Sequence, residues 1–491
     1  MKIDPRQEGY QLLQDGLAEL AYIESNGIRI DMDLLASTKE DLVSRVKKLR
    51  AGLETDPVWK KWKRRYGAKS KLTSGQQLGV VLEEDLGVIL KNRTLTGRAK
   101  VDEEALQGID HPFVRDLAKM FKYNKALGTF LKGIESEIVD GFLHPSFSLH
   151  MARSFRSSSS DPNFQNFPVR DKEIAKIIRS LFIARSSKHA LVENDFKGIE
   201  VALSAAYHKD PVFIDYITTP GKDMHRDMAA QIYMLKPEEV SKDARYGAKN
   251  KFVFPQFYGD FYVSCAKALW EWIRKGKLTT PEGLSLYKHL RNKGIKELGE
   301  CDPEQEPRKG TFEKHLKEVE DDFWNRRFQR YGQWRKEWYR RYLDRGYFDL
   351  LTGFRVHGYY KRNSVVNYPV QGAAFHCLLW TLIQVNRRLR KHKMDSRIVG
   401  QIHDSLIGDV RVTELCDYLE IVEETTTKLL PKHWPWLVVP PQIEYEMAPP
   451  RGSWHDKQEF KFSEGKFFHP TKEGRFTTDP EVFVKTLKRK E

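Results

Sequence analysis

The 491-residue chain predicts an α+β fold built from two or three structural units, and three observations predict it. Helical periodicity covers residues 10–55, 110–140 and most of 210–345. β-like runs appear at His189–Asp195 and again at Arg397–Ile402 and Leu406–Val410. The last two flank the polar turn His403-Asp404-Ser405, which is a hairpin pattern.

Taken in order, the first helical segment breaks at Ser25-Asn26-Gly27. From Trp59 to Lys71 the chain sets Lys60, Lys61, Lys63, Arg64, Arg65, Lys69 and Lys71 among Trp59, Trp62 and Tyr66. Cations interleaved with aromatics suit a duplex backbone, and an amphipathic helix with a solvated face explains them equally well. A Ser-rich stretch, Ser157 to Ser160, leads into the turn signal Asp161-Pro162-Asn163. The short buried run Ala190-Leu191-Val192 leads to Asp195, and a helix with Ile199, Leu203 and Ala206 on one face follows. An aromatic and basic run spans Trp324 to Tyr342. Beyond about 455 the chain is rich in Lys, Phe and Gly and offers no clear period.

The net charge of +15, from 83 basic and 68 acidic residues, favours a polyanionic partner, although many basic proteins only carry solvated basic faces. No window approaches a membrane-spanning apolar run. The start, Met-Lys-Ile-Asp-Pro-Arg-Gln-Glu, has no apolar core and carries acids early, so the expected location is the cytoplasm. Cys265, Cys301, Cys377 and Cys416 are scattered, with no C-x-x-C pair, which argues against a disulfide framework or zinc site. The absence of a G-x-x-x-x-G-K-[ST] loop argues against a helicase or P-loop ATPase.

Asp195 at a strand end and Asp404 in a hairpin turn are rigid positions of the kind that suit hard divalent cations. Taken alone, Asp404 is better explained as a turn-forming acid. Their neighbourhoods carry more. Asp195-Phe196-Lys197-Gly198-Ile199-Glu200 resembles the D-Y-S-Q-I-E motif A of family A (Pol I-like) DNA polymerases. Gln401-Ile402-His403-Asp404-Ser405 resembles motif C, Q-V-H-D-E. Arg245-Tyr246-Gly247-Ala248-Lys249 through Phe257-Tyr258-Gly259 is similar to motif B of the fingers, R-x-x-x-K and then Y-G. The run from Ser159 to Arg170 resembles S-T-D-P-N-L-Q-N-I-P-V-R, and Asn367-Tyr368-Pro369-Val370-Gln371-Gly372 resembles N-x-P-x-Q-G. All five stand in the family's order, and the resemblance covers roughly residues 15–455.

The resemblance implies a right-hand polymerase fold, with an antiparallel palm sheet, a helical thumb and helical fingers. It implies a palm segment at 1–30, thumb at 31–140, palm with motif A at 141–205 and fingers at 206–345. Palm with motif C follows at 346–455, then a C-terminal extension at 456–491. The implied reaction is addition of dNTPs to a primer 3′-hydroxyl, assisted by two Mg²⁺ ions, or Mn²⁺ in their place, held by Asp195 and Asp404. Glu200 matches the side chain beneath the sugar that excludes a 2′-hydroxyl. Arg245, Lys249 and His225 match triphosphate-binding positions, and Lys249 is also the candidate general acid for pyrophosphate. Tyr258 matches the aromatic at the templating position, and Phe254 the ring stacked on the incoming sugar. Arg156, Asn367 and Gln371 match minor-groove contacts at the primer terminus, with His403 close to the primer end.

Several features depart from the family pattern. One extra residue separates Lys249 from Tyr258, and Pro255 falls in that interval. An irregular fingers helix is therefore expected, which bears on Phe254. Ser405 stands where the family has Glu, and Gly198 replaces the motif A glutamine, removing a polar side chain near the triphosphate. About 15 residues precede the first resemblance, Gly16 through Asp31, which leaves no room for the family's proofreading exonuclease domain. Proofreading is expected to be absent or supplied by another polypeptide. An enlargement near 270–312 carries Trp270, Trp272, Lys275, Lys277 and Lys309, and reads as added fingers structure or as a template or partner contact. The compact, diverged motifs look most like bacteriophage members. The expected partners are primer–template DNA and dNTPs, with an added exonuclease or processivity subunit, no membrane, and a monomer on DNA. Two rivals are a single-subunit RNA polymerase, against which Glu200 argues, and a non-catalytic duplex-binding protein on a decayed polymerase fold.

Overall fold

A computed structural model describes residues 4–90, 93–94, 97–276, 278–468 and 475–490. The first helix, Pro5–Asn26, is capped by Asp4 and stops at Gly27, whose φ of +59° reverses the chain. A Cβ on Gly27 would meet the His144 ring at 2.7 Å, so a glycine is needed there for both conformation and space. Strand Ile28–Ile30 follows, pairing with Phe142–Leu143 and Phe182–Ile183. Asp31 then caps helix Met32–Thr55.

Residues 53–121 gather around a core of their own, with Trp62, Val81, Leu82, Phe113 and Leu117 buried. Trp59 and Trp62 meet edge to face at 5.2 Å inside it, while Lys60, Lys61, Lys63, Arg64 and Arg65 are exposed. Trp59 and Trp62 are thus core, Tyr66 is half-buried against it, and the cations face outward.

The second unit is a seven-stranded sheet. Its longest strand, His189–Phe196, is flanked on one side by Ser405–Arg411, which pairs in turn with Arg397–Ile402. On the other side runs Ile443–Met447. A register shift between Ile398 and Gly400 bends the hairpin, and a Cβ on Gly400 would strike the Phe164 ring at 2.6 Å. The long helix Arg362–Lys391 packs against helices Pro5–Asn26 and Ile199–His208 and touches the hairpin, tying the sheet to its core.

The sequence reading of the tail as having no clear period needs correction. Gln458–Ser463, Lys466–Phe468 and Phe476–Thr477 continue the same sheet outward from Ile443–Met447. Phe460, Phe462 and Phe467 are buried with Phe483, and Phe467 stacks on Phe483 at 4.9 Å. Polar residues alternate with Phe460 and Phe462, a period of two partly masked by the Lys and Gly content.

The third core is helical and draws mainly on residues 202–334. Asp210 staples two of its helices together. Its carboxylate accepts the N–H groups of Val212 and Phe213 on one and of Arg330 and Tyr331 at the start of the other. In the enlargement, Trp270 is buried against Phe312 at 5.3 Å, and Trp272 packs on Tyr246 at 5.7 Å. Both belong to the core or its seat, which favours the structural reading. Lys275 pairs with Glu271 and Lys309 is exposed, while Lys277 lies outside the described residues.

Candidate active site

Sheet register brings the two aspartates together. Asp195 is the cross-strand partner of Ser405, and the carbonyl of Asp404 accepts the N–H of Phe196 at 3.1 Å. The turn that presents Asp404 is tight, with His403 at a φ of +48°. Gln401 holds it closed, donating to the His403 carbonyl at 2.7 Å while its own oxygen accepts from Ser157 at 2.7 Å and Gln165 at 2.8 Å. Burial pushes the Asp195 carboxyl up to about 7, and the charges of Asp404, Glu193 and Glu444 add to the effect. Burial raises Asp404 to about 6, opposed by Arg156 and reinforced by Glu200.

Among the described residues, no set of three or more His, Cys, Asp and Glu side chains gathers tightly enough to hold a metal by itself. The geometry gives the reason. Ser405 occupies the position after Asp404, and Glu444, directly across from Asp195 on the other side, is drawn to Lys197 at 2.8 Å. The site therefore presents a pair of carboxylates. Gly198, at a φ of +57°, makes the left-handed turn from strand to helix Ile199–His208, a conformation that suits glycine better than the family's glutamine.

Beneath Asp195, on the same face of its strand, lies Glu193. Its carboxylate accepts from Ser405 at 3.1 Å and from the Trp454 indole at 2.8 Å, and is ion-paired with Lys457. Lys457 also reaches Glu446 at 2.6 Å. Burial works to raise Glu193, but Lys457, the Trp454 N–H and Arg179 outweigh it and hold the group below the usual range. Sequence reasoning gave no role to Glu193, Trp454 or Lys457. Their only sequence signal is an acid two residues before Asp195.

Glu200, in the first turn of helix Ile199–His208, is ion-paired with Arg156 and accepts the Tyr258 hydroxyl at 2.7 Å. Asn367 donates to the Tyr258 carbonyl at 2.8 Å, and Arg156 donates to the Gln371 carbonyl at 3.4 Å. Helix Arg362–Lys391 carries both Asn367 and Gln371, one turn apart. His403 is exposed at the edge of a cleft of about 790 Å³ that is also lined by Lys122, Lys125, Gln165 and Arg170.

The helical segment that carries Arg245 and Lys249 contains a π turn. Helix Lys242–Ala248 passes into a π segment at Lys249–Val253, where the Phe254 N–H bonds to the Lys249 carbonyl, and then into Phe254–Phe257. A π turn lengthens the repeat by about one residue, so positions five apart share a face. Lys249 consequently lies over the Phe254 ring at 5.1 Å, with the His225 ring edge-on to Phe254 at 5.6 Å. Pro255, which has no N–H for the ladder, follows directly. Phe254 thus lies beside Lys249 and His225 despite the altered spacing. Arg245 joins it through Asp223, at 2.6 Å. Burial brings His225 down to about 4, helped by the charges of Arg245 and Lys249 and opposed by Asp223. The His225 Nδ1 is buried without a hydrogen-bond partner.

The structure thus sets Arg245 and Lys249 one turn apart along one helical segment, and a carboxylate pair at a sheet seam. Residues 43–277 match the family model for DNA polymerase family A. The DNA polymerase of Bacillus phage SP01 is 25% identical over 431 residues, covering 82% of this chain and 42% of the relative. DNA polymerase I of Bacillus subtilis (strain 168) is 24% identical over 442 residues, covering 89% and 44%. Among solved structures, the POL domain of Pol1 from M. smegmatis, in complex with DNA primer-template and dNTP, aligns with a TM-score of 0.69 and 21% identity. That alignment covers 90% of this chain and 70% of the other. The chain spans less than half the length of these two curated relatives.

The class defined is the right-hand, α+β polymerase fold. Over residues 43–277 the chain is similar to DNA polymerase family A, and its fold is that of the polymerase domain with which it aligns. No helix among the described residues is long and apolar enough to cross a membrane.

Proposed function

We propose that this chain carries out template-directed DNA synthesis, adding dNTPs to a primer 3′-hydroxyl with release of pyrophosphate. The observation that carries the reading is the meeting of Asp195 and Asp404 at one sheet seam, both half-buried and both with raised proton affinity. Two half-buried carboxylates whose charges oppose one another fit oxygen-seeking divalent cations. A pair of Mg²⁺ ions held there would sharpen the primer hydroxyl as a nucleophile and shield charge on the triphosphate.

The chain's own groups supply the rest. Arg245, Lys249 and His225 take the triphosphate, and the buried, unpartnered Nδ1 of His225 supports that role. Lys249 delivers a proton toward the departing pyrophosphate. Phe254 packs on the incoming sugar, and Glu200, fixed by Arg156 and Tyr258, occupies the space a 2′-hydroxyl would need. Tyr258 holds the templating position. Arg156, Asn367 and Gln371 check the terminal pair through the minor groove, where acceptors are present in every Watson–Crick pair. His403 lies beside the primer end.

In this reading residues 31–140 are the thumb, 206–345 the fingers, 1–30, 141–205 and 346–455 the palm and 456–491 a C-terminal extension, working as a monomer on primer–template DNA. A primer-extension assay tests it. Asp195→Ala and Asp404→Ala should each abolish extension while primer–template binding survives. Extension by either variant at near-normal rate refutes the proposal.

A further inference from the structure

Next to the proposed site is a surface with no part in the chemistry so far described. Tyr359 is fully exposed, an unusual state for an aromatic in an ordered turn. Both of its neighbours are pinned. The Tyr342 hydroxyl donates to the Gly358 carbonyl at 2.5 Å and accepts the Tyr360 N–H at 2.8 Å. The Tyr360 ring packs edge-on to Tyr368 at 5.4 Å. Tyr359 is therefore held outward by the backbone on either side of it.

The position of this turn is informative. A Cβ on Gly259 would meet Asn363 at 2.6 Å, so the segment leading into helix Arg362–Lys391 lies directly against the end of the fingers helix. Asn367 ties the two together again through the Tyr258 carbonyl. Tyr359 thus borders the exit from the residue assigned to the templating base. The surroundings are cationic: Lys361 and Arg362 are exposed, as are Arg341 and Arg345 on the helix that carries Tyr342. Between Asp349 and Asp395 the chain contains no acidic residue.

An exposed ring beside Lys361 and Arg362, with Arg341 and Arg345 outnumbering the exposed Asp344 on the neighbouring helix, suits a partner offering flat π-faces and phosphates together. Single-stranded nucleic acid does so, and base–aromatic stacking tolerates any sequence. We propose that Tyr359, with Lys361 and Arg362, forms a stacking platform for the unpaired template bases that have yet to reach Tyr258. The proposal rests on the polymerase reading above.

The test compares primer–templates with a template overhang of one nucleotide and of several, by fluorescence anisotropy and by primer extension. The native protein should bind the longer overhang more tightly. Tyr359→Ala should lose at least about fivefold of that gain, Tyr359→Trp should keep it, and Lys361→Ala with Arg362→Ala should flatten its salt dependence. Binding and extension on the one-nucleotide overhang should stay at native level in every variant. Equal affinity of the native protein for both overhangs overturns the platform, as does a Tyr359→Ala variant that binds both like the native protein or weakens both alike. Failure of the native protein to extend either substrate would instead overturn the polymerase reading.

Discussion

The backbone N–H of Phe196 donates to the carbonyl of Asp404 at 3.1 Å, and this one bond closes the seam at which two carboxylates distant in sequence face each other. Their burial has a consequence for pH. Both groups, raised to about 7 and about 6, bind protons more tightly in the folded chain than in the unfolded one. The stability they contribute is complete below the ordinary carboxylate range and is lost as pH rises through about 6 to 7. Thermal unfolding in a chelator should therefore show a melting temperature that falls across that window. Asp195→Asn should flatten the fall, and Mg²⁺ should restore stability above it. A melting temperature independent of pH in the chelator would contradict the coupling.

Glu200 is held from two sides, by Arg156 and by the Tyr258 hydroxyl. A carboxylate so fixed cannot swing away from a 2′-hydroxyl. Glu200→Ala should raise ribonucleotide incorporation relative to deoxynucleotide by about tenfold or more, read as the ratio of kcat/KM values. Unchanged sugar discrimination removes the gate role.

Lys457 belongs to the segment where sequence reading found no period, yet it neutralises a buried acid directly beneath the site. Its side chain is 15% exposed and that of Glu193 13%. Lys457→Met should cost about 3–5 kcal/mol in urea unfolding, because it strands a buried charge. Adding Glu193→Gln should recover most of the loss. A single variant as stable as the native chain would show that the pair is not coupled to folding.

The contrast between these residues explains what was legible in the sequence. The strand through Asp195 and the hairpin through Asp404 announce themselves through local pattern, and the motif context singles out the two acids. The segment from Lys249 to Tyr258 gave warning through one extra residue and Pro255, but only the hydrogen-bond ladder reveals that a π turn returns Phe254 to the face of Lys249. Lys457 was invisible because its partner lies 264 residues away, across two strands whose pairing no local period encodes. Gln401 stood inside a recognised motif, yet its work is internal, bracing the turn, and residue type alone does not report it.

Lys249 should separate chemistry from binding. If it supplies the proton to pyrophosphate, Lys249→Ala should lower kcat by about 10²–10⁴ with a smaller change in KM for dNTP. Arg245→Ala should chiefly raise KM. The two effects interchanged in single-turnover kinetics would reverse the assignment.

The most direct measurement counts divalent cations. Mn²⁺ binding, followed by electron paramagnetic resonance on the chain with a dideoxy-terminated primer–template and dNTP, should show two bound ions per chain. Asp195→Asn and Asp404→Asn should each abolish that stoichiometry without releasing the DNA. Native-level Mn²⁺ binding in both variants would contradict the account.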